Sequence, residues 1–101
     1  MYKLRNAGTT IYNQPFIHST ILDVWNKAKV VSGHSQYEWR YDTCVKLIRF
    51  SDYGNVYSVY GWEIDHIIPV SRGGTDNLAN LQALQWKTNR KKADTYPWYC
   101  Y

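Results

Sequence analysis

Residues 62–94, WEIDHIIPVSRGGTDNLANLQALQWKTNRKKAD, constrain this chain more than any other stretch. Residues 62–68 read as a strand that stops at Pro69, which has no N–H to give to a ladder. Residues 70–76 form a loop carrying Gly73 and Gly74. A second short strand falls within residues 78–84, centred on 81–84, and residues 86–93 read as a helix with Lys87, Arg90, Lys91 and Lys92 on its outer surface. The order is strand, loop, strand, helix. Residues 1–60 then read as a helix and hairpin scaffold around residues 61–94, and residues 95–101 as an aromatic tail.

With 101 residues the chain is expected to be one domain. A chain this short builds a thin core, and ten Tyr, five Trp and two Phe are the means it has to fill one. Residues 9–12 suggest a short strand before the turn at Asn13, Gln14 and Pro15. The spacing of Ile21, Val24, Trp25 and Ala28 predicts a helix over residues 20–30, with Ser19 or Thr20 as its cap and Asp23 in its first turn. Residues 44–50 alternate as a strand does, residues 51–55 carry turn chemistry, and residues 56–60 are β-rich, which predicts a hairpin. His18 and His34 read as ordinary surface or packing histidines. Cys44 and Cys100 form no CxxC pair, which excludes a Cys-rich zinc site. A single disulfide is the alternative to the reading taken, two free thiols in a reducing environment. No apolar run approaches the roughly 20 residues that span a bilayer, and MYKLRNAGTT lacks the apolar core of a signal peptide. These features suggest an intracellular, cytoplasmic protein.

The net charge of +4 suits a polyanionic partner. Hydrolysis of a phosphodiester needs a nucleophilic water, a base and a cation to stabilise charge on phosphate. His66 is the side chain here whose unperturbed pKa suits a base near neutrality. Asp65 is a hard oxygen ligand for Mg²⁺ or Mn²⁺, and Asn89 offers a neutral amide oxygen from the helix. Glu63 is an extra ligand, a group supporting the ligands or a plain surface charge. Arg72, Lys87, Arg90, Lys91 and Lys92 are candidates to hold a nucleic-acid backbone. On a regular strand Asp65 and His66 would face opposite sides, so their convergence calls for a bent or irregular strand.

The ordered combination of an E-x-D-H-I-x-P strand, a Gly-Gly loop, an N-L-x-x-L segment and a terminal N-x-x-K helix resembles the HNH endonuclease family, the ββα-metal nucleases. The resemblance implies an α+β fold with a C-terminal ββα-metal motif and an upstream helix and β-hairpin. It implies that His66 is the general base, that Asp65 and Asn89 hold a single divalent cation, and that Asn80 holds the loop and so helps orient the base. Lys92 matches the trailing lysine, which would contact phosphate or the scissile region. Many members carry two CxxC pairs that bind a structural zinc. Gln85 and Thr88 stand at the second pair's positions, so no structural zinc is expected. Asn89 in place of the last His makes this the HNN version, a set that favours Mg²⁺ or Mn²⁺ over Zn²⁺.

The expectation is a metal-dependent endonuclease that nicks or cuts DNA, double-stranded DNA foremost. Its alternatives are a catalytically inactive DNA-binding module of the same fold and a structural or protein-binding domain. No specificity domain is recognisable, so cutting is either of low specificity or guided by a protein partner. No membrane contact is expected.

Overall fold

The computed structural model describes residues 5–100; the first four residues of the opening segment and Tyr101 of the tail lie outside the described residues. Helix α1 spans His18–Lys27, followed by β1 (Lys29–Val30), β2 (Trp39–Tyr41) and β3 (Leu47–Arg49). Then come β4 (Trp62–His66), β5 (Leu81–Gln85) and α2 (Trp86–Lys92). The first three strands form an antiparallel sheet in the order β1-β2-β3, and β4 and β5 pair antiparallel by themselves. The chain therefore has an α+β fold with a ββα unit at its C-terminal end.

The helix buries Val24 and Trp25 and packs Ile21 and Ala28 against the same core, the face its spacing predicts. It starts earlier than expected. Ile17 is the residue before the first turn, and neither Ser19 nor Thr20 caps it, so Asp23 lies beyond the first turn. Buried Phe16 anchors the chain just ahead of the helix and fixes where it begins. No strand forms at residues 9–12; Thr9 makes a lone bridge to Pro15 around a tight turn.

The hairpin partner also differs from expectation. β3 pairs with β2, with Arg40 opposite Ile48, while residues 56–60 stay in turns and offer β3 only the Tyr60 carbonyl, to the Arg49 N–H at 3.1 Å. The reason lies in Asp42. Its Oδ1 accepts the N–H groups of Cys44 at 2.9 Å and Lys46 at 2.8 Å, an Asx turn that folds β3 back onto β2.

The core is aromatic, as the composition suggests. Trp25 and Trp62 lie 5.3 Å apart, Tyr53 stands edge-on to Trp62 at 4.8 Å, and Phe16, Ile48, Ile64, Leu81 and Ala83 close around them. Both buried indoles keep a partner: Trp25 donates to the Gln36 carbonyl at 3.0 Å and Trp62 to that of Phe50 at 3.4 Å.

Cys44 and Cys100 are joined by a disulfide, which corrects the free-thiol reading. The Asx turn carries Cys44 out beside the tail, and the two Cα atoms lie 5.4 Å apart. The bridge closes a separation of 56 residues, worth about 4 kcal/mol by the chain-entropy argument. With the thiols paired, cysteine usage no longer points to a reducing compartment. Among the described residues no helix is long and apolar enough to cross a membrane.

Candidate active site

The alternation of β4 sorts its side chains. Trp62 and Ile64 join the core, and His66 follows them onto that face, packing against Phe16 at 6.0 Å between ring centroids. Glu63 and Asp65 point the other way, toward α2. There Glu63 meets Asn89 and Arg90, and Asp65 meets Lys92.

Helix α2 follows β5 without a loop, so its start must be fixed by capping. The Gln85 side chain does this, its Oε1 accepting the N–H groups of Lys87 at 2.9 Å and Thr88 at 3.2 Å. The Gln85 N–H in turn donates to Asp42 Oδ2 at 2.7 Å, tying the helix start to the β2–β3 turn. Thr88, Asn89 and Lys92 form the buried face of α2, while Lys87, Arg90 and Lys91 are exposed.

Three polar groupings result. In the first, Asn89 Nδ2 donates to Glu63 Oε1 at 2.9 Å, and Arg90 binds Glu63 Oε2 at 2.8 Å. Glu63 thereby turns the Asn89 amide so that its oxygen has no donor among the described residues. It also raises the Arg90 guanidinium pKa by its hydrogen bond, and burial, helped by the Glu63 charge, pushes the Tyr53 hydroxyl up to about 12.

In the second grouping, Lys92 Nζ lies 3.3 Å from each Asp65 oxygen and 3.0 Å from the His66 carbonyl, and Gln82 donates to Asp65 Oδ2 at 2.9 Å. Burial raises the Asp65 pKa, opposed by Gln82, Lys92 and His66. Lys92 is only 2% exposed, so it does not stand on the outer surface of the helix as its place in the basic run suggested. Its position three residues after Asn89 puts it one helical turn on, on the inward stripe.

In the third grouping, His66 Nε2 is 2.8 Å from Asp76 Oδ1, and the Ile11 N–H reaches both Asp76 oxygens at 3.2 and 3.3 Å. His66 Nδ1 is buried without a partner among the described residues. The Asn80 side chain makes no hydrogen bond to the His66 ring. Its amide accepts the Ile68 N–H at 2.8 Å and donates to the carbonyls of Ile68 at 3.1 Å and Thr75 at 2.9 Å, holding both ends of the loop. Gly74 permits this closure, since a Cβ there would lie 1.7 Å from the Ile68 carbonyl oxygen, and Gly73 turns the chain at φ 89°.

Asp65, His66, Asn89 and Arg90 line one cleft of about 260 Å³, together with Ile64, Ala93, Asp94 and the N-terminal residues Arg5, Ala7 and Gly8. The register of β4 with β5 runs unbroken to His66↔Leu81, and the cleft runs along β4 and α2 with no residue of β5 in its lining. Arg72, Lys87 and Lys91 lie outside the cleft, as do Asn80 and the buried Lys92. A cleft of about 360 Å³ between α1 and β2, lined by Lys27, Lys29, Tyr41 and Asp42, contains none of these residues. Among the described residues no three His, Cys, Asp or Glu side chains converge as a metal cage. Asp65 and Asn89 supply two oxygens of the kind a hard divalent cation takes, leaving its other positions to water and phosphate.

Sequence reading missed Asp76, Gln82 and Arg5. An Asp after Gly-Gly-Thr reads as a turn residue, and only proximity in space gives it another role.

The model of one protein family, described as HNH endonuclease, matches residues 43–95, just over half of the chain. No curated protein and no solved structure gives a significant match.

Proposed function

Because the chain belongs to the HNH endonuclease family, we propose that it hydrolyses DNA phosphodiester bonds at the β4–α2 cleft with the aid of one Mg²⁺ or Mn²⁺ ion. The observation that carries this reading is the meeting of Asp65, His66 and Asn89 at one cleft, with the Asn89 amide turned by Glu63. Asp65 and Asn89 would hold the cation. Lys92 and Gln82 leave the Asp65 carboxylate lone pairs to spare, since a carboxylate has about four. When bound, the cation stabilises negative charge on the phosphate and leaving oxygen.

The chain's own groups do the rest. An ionised Asp76 can only accept, so the His66 proton sits on Nε2 and the lone pair on Nδ1. That nitrogen takes the proton of the attacking water as its oxygen bonds to phosphorus. The P–O3′ bond breaks, and the leaving oxygen takes a proton from solvent. A buried acceptor without a donor costs about 1–3 kcal/mol. Lys92 keeps Asp65 and the end of β4 in place, and Glu63 does the same for Asn89. Exposed Arg72, Lys87 and Lys91 would meet the DNA backbone, with Arg90 sharing its charge between Glu63 and the cleft.

Incubating supercoiled and linear DNA with the protein and Mg²⁺ or Mn²⁺, with EDTA controls, tests the proposal. Cleavage that EDTA stops and His66→Ala removes is the expected result. Full activity of His66→Ala would sink the assignment of the base. Salt-sensitive DNA binding without cleavage of any DNA form would instead favour the inactive DNA-binding module.

A further inference from the structure

We propose that Asp76 is the positioning residue for His66, fixing its tautomer and ring orientation. The inference rests on the reading of His66 as the base. Three observations converge on it. The Asp76 carboxylate is the polar side chain that touches the His66 ring, at 2.8 Å from Nε2. His66 is 2% exposed and its other nitrogen has no partner among the described residues, so this bond decides which nitrogen carries the proton. Asp76 is itself held: the Ile11 N–H donates to both its oxygens, and Asn80 grips the carbonyl of neighbouring Thr75.

The arrangement explains how two distant features bear on the base. Asn80 orients the base through the loop, by setting where Asp76 stands. The N-terminal segment acts through Ile11, in a turn closed by the Thr10 N–H on the Gln14 carbonyl at 2.8 Å, and through Phe16 against the face of the imidazole. Loss of the carboxylate would let the proton move to Nδ1, the nitrogen that must accept one. A ring in that tautomer keeps its place and loses its function, the same logic by which an aspartate behind a catalytic histidine acts in other hydrolases.

The test uses the full chain carrying ¹⁵N-labelled histidine, with Asp76→Asn, Asp76→Ala and Asp76→Glu variants. The His66 tautomer is read from its ring nitrogen shifts at a pH where imidazole is neutral. Metal-dependent cleavage is followed as kcat and KM, and thermal melts check folding. In the wild type His66 is expected as the Nε2–H form. Asp76→Asn, close to isosteric, is expected to shift the ring toward Nδ1–H and lower kcat about 10- to 100-fold with little change in KM. Asp76→Glu is expected to restore part of both. An unchanged His66 tautomer, or an unchanged kcat, in folded Asp76→Asn overturns the proposal. If the wild type cuts no DNA while the tautomer still follows residue 76, the nuclease reading fails and the control of His66 by Asp76 stands.

Discussion

Asp42 and Asp65 are both buried carboxylates, and they are used in opposite ways. Asp42 accepts three backbone N–H groups, from Cys44, Lys46 and Gln85, and its partners are fixed by the main chain. Asp65 is met, among the described residues, by the tips of two side chains, Gln82 and Lys92, and it borders an open cleft. The same contrast runs through the cations nearby. Arg40, in the scaffold, spends its guanidinium on the carbonyls of Gln36, Asn26 and Ala28 over the face of Trp25. Among the described residues, the two buried side-chain atoms without a partner, His66 Nδ1 and Thr88 Oγ1, both belong to the β4–β5–α2 unit. Saturated polar groups mark where the fold is locked, and spare coordinating capacity marks where chemistry can be done.

The comparison breaks most sharply by exchanging the two losses. Asp65→Ala should lower metal-dependent cleavage by about 10³-fold or more, since cation stabilisation of the transition state is worth several kcal/mol. Asp42→Ala should instead cost about 3–5 kcal/mol of stability, because three N–H groups lose a charged acceptor at the joint between hairpin and helix. Cleavage rates and urea melts on both variants separate the two outcomes. Equal effects on activity per folded molecule would erase the distinction.

The Cys44–Cys100 bridge belongs with Asp42 on the structural side. Cys100→Ser should lower stability by about 2–4 kcal/mol while cleavage per folded molecule is kept. Intact mass with and without reductant checks the bridge itself, and melts under both conditions check its weight.

On the functional side a smaller gain is expected at the helix end. Ala93 closes α2 at φ 48° and ψ −131°, a conformation that side chains disfavour. Ala93→Gly should raise stability by about 1 kcal/mol, read from the shift of the melting temperature.

The smallest expected effect is a drift with pH. Burial holds the Asp65 carboxyl above the usual range in spite of Gln82, Lys92 and His66. The folded state therefore binds that proton more tightly than the unfolded state. Its contribution to stability is complete below the unfolded pKa and is lost as pH rises through the folded one. In EDTA, the melting temperature of the wild type relative to Asp65→Asn should fall as pH rises from the acid side toward neutrality. A gap that widens in the other direction would mean that Lys92 outweighs burial.

The sequence by itself determined the order strand, loop, strand, helix. Pro69, the Gly73-Gly74 loop, the alternation of β4 and the basic run of α2 are local features that the chain cannot hide. It also marked the residues in which chemistry could reside, because Asp65, His66 and Asn89 fall at characteristic spacing within that order. Tertiary structure alone decided three matters. It paired β3 with β2 rather than with residues 56–60, with Asp42 of the intervening turn held by the Gln85 N–H from 43 residues away. It joined Cys44 to Cys100 across 56 residues. It turned Lys92 inward, brought Asp76 to His66 and ran the cleft along β4 and α2, so that neighbours on opposite faces share one site. The physical reason is common to all three. Periodicity and turn chemistry act between residues close in sequence, whereas the partner of a buried polar group is chosen by whichever donor or acceptor the packed chain brings within about 3 Å.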